Sequence, residues 1–98
     1  MENSLPIIIT DKAWQEIRNI VDKKNIPEGY GLRIGISGAG CAGISYVLGF
    51  DKPTENDKKY LLNDLDVLIK KKDMMYLIGI KLDFYEGNDA RGFTFVKN

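Results

Sequence analysis

Gly35-Ile36-Ser37-Gly38-Ala39-Gly40-Cys41-Ala42-Gly43-Ile44-Ser45-Tyr46 holds the chain's only cysteine inside a glycine-rich break between two strand-like runs. On the N-terminal side Tyr30, Leu32, Ile34 and Ile36 alternate with Gly31, Arg33, Gly35 and Ser37. On the C-terminal side Ile44, Tyr46, Leu48 and Phe50 alternate with Ser45, Val47, Gly49 and Asp51. A period of two on both flanks predicts strand, loop, strand. Gly38, Gly40 and Gly43 accept positive φ at little steric cost, so the loop can turn tightly and aim Cys41 or its neighbours' amides.

Residues Gly38 to Gly43 also satisfy Gly-x-Gly-x-x-Gly, but the setting excludes a dinucleotide site. That fingerprint requires a helix straight after the glycines and an acidic residue about 20 positions on. Here strand periodicity follows, and Asp51 comes too early. No Gly-Lys-Ser/Thr follows, which excludes a P-loop.

Outward from the break, a helix and further strands are predicted. Leu5 to Ile9, with Pro6, reads as an extended entry segment or edge strand. Thr10 or Asp11 caps a helix of about residues 10–24, whose apolar stripe is Ala13, Trp14, Ile17, Ile20 and Val21. Trp14, Ile17 and Val21 are expected to pack on a sheet containing Ile34, Tyr46, Leu82 and Phe93. Pro27 and Gly29 end the helical stretch. Residues 51–59 read as a surface loop, Tyr60 to Leu62 as a brief strand, and Leu65, Val67 and Ile69 as a better one. A short helix is expected within residues 71–77, with Met74 and Met75 as core fillers. Ile80, Leu82 and Phe84 alternate as a strand, and the turn of residues 86–92 leads to a return strand from Gly92 to Val96. Such an order argues an α+β domain spanning residues 1–98: short, mostly antiparallel or mixed strands packed on one N-terminal amphipathic helix.

At 98 residues, with 44% hydrophobic and 29% charged, the composition is that of a single soluble globular domain. Lys and Arg balance Asp and Glu, so no basic footprint marks a nucleic acid or an anionic membrane as partner. The run Lys70-Lys71-Lys72 reads as a solvated face rather than a phosphate track. There is no positively charged leader region and no apolar run of spanning length, and one cysteine makes no intrachain disulfide; the expectation is a cytoplasmic protein. Histidine is absent, which removes Cys-His and Ser-His-Asp catalysis and any imidazole metal site.

Thr10 with Ala13, Leu32-Arg33, Gly40-Cys41-Ala42-Gly43 followed by Tyr46, Asp83, and Gly92-Phe93-Thr94-Phe95 together resemble the HesB/IscA-like family, the A-type carriers of iron-sulfur cluster assembly. The resemblance covers about residues 5–96, and its most specific part is Gly-Cys-x-Gly-x-x-Tyr in a strand-loop-strand setting. It implies a compact β-rich fold with a flanking helix and self-association into dimers or tetramers. It also implies an iron-sulfur cluster or iron bound by three cysteines, and partners among assembly or recipient proteins. The first family cysteine matches Cys41, which is both the metal-binding and the cofactor-binding candidate. The other two belong to a Cys-Gly-Cys motif beyond the strand matching Gly92 to Val96, and the sequence ends at Asn98 before reaching one. Either that tail is missing from the sequence at hand or this is a degenerate member that binds iron or a cluster through one cysteine per chain.

A [2Fe-2S] cluster takes four donors, usually thiolates. One thiol per chain leaves the rest to a second chain, a carboxylate, a small thiol or a partner protein. A lone cysteine is commonly a small buried hydrophobe. Here the glycines around Cys41 allow a nest of amides that favours the thiolate. The expectation is a carrier and not an enzyme, with a metal-free protein-interaction module that keeps the fold as the alternative. A redox-sensing thiol is a third reading, and would need a resolving thiol from another molecule.

Overall fold

The computed structural model describes residues 5–40 and 43–97. They fall into two compact units, one built on Pro27–Leu77 and the other on Pro6–Ile26 with the chain from Ile78 onward.

In the second of these units a short strand β1 (Ile8–Ile9) leads into helix α1 (Asp11–Lys24), and strands β6 (Ile80–Glu86) and β7 (Arg91–Lys97) complete a three-stranded sheet of order β1-β6-β7. β1 runs parallel to β6 and β7 antiparallel to it. Thr10 caps α1 because its backbone is extended while its hydroxyl accepts the Ala13 amide at 3.1 Å, satisfying one donor that the first turn leaves free. The same hydroxyl donates to Asp83 Oδ1 at 2.7 Å, and the Thr10 amide bonds the Leu82 carbonyl at 3.0 Å. The helix start is thus pinned to β6 from both backbone and side chain. α1 ends at Asn25, which takes the left-handed conformation (φ 51°) and returns its amide to Val21, two residues before the proline that marks the end in sequence. Ala13 and Ile17 are buried and Trp14 and Val21 half-buried, so the apolar stripe is narrower than its periodicity implies. Phe84 and Phe93, opposite each other on β6 and β7, meet edge to face at 4.9 Å between centroids.

Thr10→Ala is expected to lower the unfolding free energy by about 1–2 kcal/mol. Thr10→Ser, which keeps the hydroxyl, should stay within about 0.5 kcal/mol of the parent. Urea midpoints measure both.

The other unit is a four-stranded sheet of order β3-β2-β5-β4, formed by β2 (Gly31–Gly40), β3 (Gly43–Asp51), β4 (Asp57–Leu62) and β5 (Leu65–Lys70). A single 3-10 turn (Lys71–Asp73) and a one-turn helix α2 (Met74–Leu77) follow β5. β2 pairs antiparallel with β3 and parallel with β5, and β4 pairs antiparallel with β5. Val67, Leu68 and Ile69 are all fully buried, so β5 is covered on both faces and the alternation seen in sequence understates its burial. The β4–β5 hairpin closes through Asn63 and Asp64, both at positive φ (49° and 60°), between the paired Leu62 and Leu65. Two left-handed residues make the primed turn whose twist matches the strands. Gly31 is set by space: a Cβ there would stand 2.8 Å from the Asp66 carbonyl oxygen on β5.

The expected single sheet is therefore two, Ile34 and Tyr46 belonging to one and Leu82 and Phe93 to the other. The short helix in residues 71–77 forms, but Met75 is 74% exposed and fills no core. Residues 57–59, read as loop, lengthen β4 because Asp57, Lys58 and Lys59 pair with Lys70, Ile69 and Leu68 of β5.

Candidate functional site

β2 and β3 form one long hairpin that delivers the glycine-rich stretch. Their register runs from Gly31 opposite Asp51 to Ser37 opposite Ser45, shifts between Ser37 and Gly40, and resumes with Gly40 opposite Gly43. Gly38 (φ 70°) and Gly43 (φ 90°) use the left-handed freedom anticipated for this stretch. β3, not a helix, follows the glycines, so the dinucleotide fingerprint is excluded by structure as it was by pattern. Cys41, together with Ala42, lies outside the described residues. Among the described residues no three cysteine, aspartate or glutamate side chains gather to hold a metal ion.

At the far end of the hairpin Arg33 is locked into a network missed by pattern reading. Its guanidinium bonds both carboxylate oxygens of Asp57, with Nη2–Oδ2 at 2.9 Å and a second, shorter contact from Nη1 to Oδ1. It also reaches Asp51 at 3.4 Å and the Lys52 carbonyl at 3.2 Å. Asp57 further accepts the Thr54 amide at 2.8 Å and hydroxyl at 3.1 Å. The Asp57 side chain is fully buried and that of Arg33 is 11% exposed. The Arg33 hydrogen bond holds the Asp57 carboxyl below the usual carboxylate range, against burial, and Thr54 adds to it; the same pairing raises Arg33. A lone cation amid the apolar alternation of β2 was the available sign that a carboxylate must pair with it.

Halfway along the hairpin, Asp73 from the 3-10 turn packs against β2. It is a buried carboxylate, with Oδ2 accepting the Ile36 amide at 3.4 Å and Oδ1 3.4 Å from the largely exposed Lys72 ammonium. An open cleft of about 260 Å³ beside it is lined by Arg33, Ile36, Val47, Asp51, Lys72 and Asp73 among others. Lys70, Lys71 and Lys72 are all exposed, as expected of a solvated face.

The family model for iron-sulphur cluster biosynthesis matches residues 5–98. The chain belongs to the iron-sulphur cluster biosynthesis family. It is 34% identical over 94 residues to the iron-sulfur cluster insertion protein ErpA of Aeromonas salmonicida, covering 95% of this chain and 80% of that protein. It is 33% identical over 92 residues to the iron-binding protein IscA of an Enterobacter species, covering 93% and 84%. In structure it is similar to Escherichia coli SufA, involved in biosynthesis of iron-sulfur clusters, with a TM-score of 0.75, 25% identity, and coverage of 97% of this chain and 85% of that one.

Within this family frame the residues that carried the resemblance sort by physical role. Thr10, Ala13 and Asp83 secure the start of α1, Arg33 ties β2 to the start of β4 and to Lys52 in the connection before it, and Phe93 packs on Phe84. All of these are scaffold. Gly40, Gly43 and Tyr46 belong to the hairpin flanking Cys41. No helix among the described residues is long and apolar enough to cross a membrane.

Two carboxylates give the scaffold an acid limit. Asp83 is held low chiefly by the Thr10 hydroxyl and then by the Phe84 amide, and Asp57 by Arg33. A carboxyl lowered on folding contributes stability above its unfolded pKa of about 4 and loses it as pH falls through the folded value. Urea midpoints are therefore expected to be flat from neutral pH to about 5 and to fall below about 4. Asp57→Asn should start lower and lose less on acidification.

Proposed function

We propose that this protein is an A-type carrier that takes iron or an iron-sulfur cluster as cargo at Cys41 and hands it to a recipient protein without turning over a substrate. The observation that carries this reading is the family match over residues 5–98, with the chain's one thiol falling between the paired Gly40 and Gly43. The relatives' names, iron-sulfur cluster insertion protein and iron-binding protein, support the same cargo. Thiolate suits iron and cluster sulfide chemistry, and the 98 residues contain no imidazole to compete for the role. With one thiol per chain, a cluster requires at least a second copy, a small thiol or a partner's side chains, so self-association belongs to the proposal. A reducing compartment such as the cytoplasm keeps the thiol available.

The test is transfer. Protein loaded anaerobically with iron and sulfide is mixed with an apo iron-sulfur recipient, re-separated, and both are read by absorbance and iron content. Cargo should move to the recipient. A protein that takes up no iron would point instead to the metal-free interaction module, and one that holds iron without release to any recipient tried would overturn the carrier role.

A further inference from the structure

β2 is supported unevenly along its length. Its partner β5 bridges it only at Leu32 and Arg33, and the chain then leaves the sheet at Lys70 to enter the 3-10 turn. Beyond that point the hairpin continues as a two-stranded ribbon paired through Ile36 with Tyr46, Ser37 with Ser45 and Gly40 with Gly43. Two-stranded ribbons are marginal in water, because one edge of each strand goes unpaired. The Ile36 amide is turned away from β3, toward the side that β5 has vacated, and its hydrogen goes to Asp73 Oδ2. Asp73 is only 4% exposed, and from the 3-10 turn that follows β5 its carboxylate reaches the Ile36 amide. Gly35 permits the approach: a Cβ there would lie 3.1 Å from that carboxylate oxygen. The bond is already long at 3.4 Å, so a displacement of a few tenths of an ångström would break it.

We infer that Asp73 is a positioning residue for the Cys41 hairpin, standing in for the strand that β5 no longer provides and fixing β2 five residues before the cysteine. The inference rests on the proposed role of Cys41 for its functional meaning, but its physical content does not depend on cargo binding. Asp73 touches no cargo; it acts through the Ile36 amide.

Two variants attack the contact from opposite sides. Asp73→Ala removes the acceptor, and Gly35→Ala displaces it while leaving Asp73 in the sequence. Asp73→Asn keeps a carbonyl oxygen in place and serves as the rescue. Native-state hydrogen exchange at Ile36 should speed up about tenfold or more in both alanine variants, with Leu32, paired to β5, changing less than about threefold. The rate of Cys41 alkylation by iodoacetamide should change in the same two variants, and Asp73→Asn should restore the parent value of both measurements. Urea midpoints of all three variants are recorded alongside, so that a global loss of stability is recognised by Leu32 moving with Ile36. Unchanged exchange at Ile36 in Asp73→Ala, or faster exchange with unaltered alkylation of Cys41, overturns the inference. Neither readout involves iron, so failure of the carrier reading and failure of this one are told apart.

Discussion

Anaerobic reconstitution of the 98-residue chain with iron and sulfide, without added small thiols, is expected to give a chromophore of low occupancy that is lost entirely on Cys41→Ser. The physical reason is donor supply. A cluster takes four donors, and this chain offers one thiolate and no imidazole. An alcohol stays protonated where a thiol gives up its proton, so serine does not replace the ligand. The chromophore should therefore elute with an assembly of at least two chains, and added glutathione should raise its occupancy by supplying further thiolates. Absorbance with iron and sulfide analysis across a sizing column measures all of this. A stable chromophore on a monomer, or one that survives Cys41→Ser, would place the cargo on other residues.

The second large effect concerns stability. Asp57→Ala is expected to cost about 3 kcal/mol, at the low end for breaking a buried ion pair because Arg33 keeps an edge open to water. The substitution removes the acceptor for two guanidinium hydrogen bonds and for the Thr54 amide and hydroxyl together, and it leaves Arg33 with only Asp51 and the Lys52 carbonyl. For a domain of this size that corresponds to a fall in Tm of roughly 12–24 °C. Arg33→Ala should cost a similar amount, since it strands a buried carboxylate. The double variant Arg33→Met with Asp57→Leu should recover much of the loss, because an apolar pair leaves no charge unpaired. Thermal melts of the four proteins decide it. A loss below about 1 kcal/mol in the single variants would mean that water screens the pair as it screens an ordinary surface bridge.

Pattern reading recovered what local chemistry controls. The alternation on both sides of the glycine break is the β2–β3 hairpin, the 3.6-residue stripe behind Thr10 is α1, and the turn of residues 86–92 joins β6 to β7. The family was legible too, because Gly-Cys-x-Gly-x-x-Tyr and the weaker matches keep their order along the chain. One local signal went unread: Asn63-Asp64 is a primed hairpin turn, and asparagine and aspartate are among the few residues besides glycine that enter the left-handed region readily.

Composition, strand and helix periodicity, glycine chemistry and the single thiol at position 41 were set by the sequence alone, because each depends on residues within a few positions of one another. Which strands share a sheet was not, since a period of two tells which face is apolar and nothing about the neighbour across the ladder. Ile34 and Leu82 look alike in sequence and belong to different sheets. The partners of Arg33 and of the Ile36 amide were likewise decided by tertiary structure. Asp57 lies 24 positions from Arg33, and Asp73 lies 37 positions from Ile36. Only the paired strands and the turn after β5 bring each carboxylate within bonding distance, and burial then strengthens the Arg33–Asp57 pair.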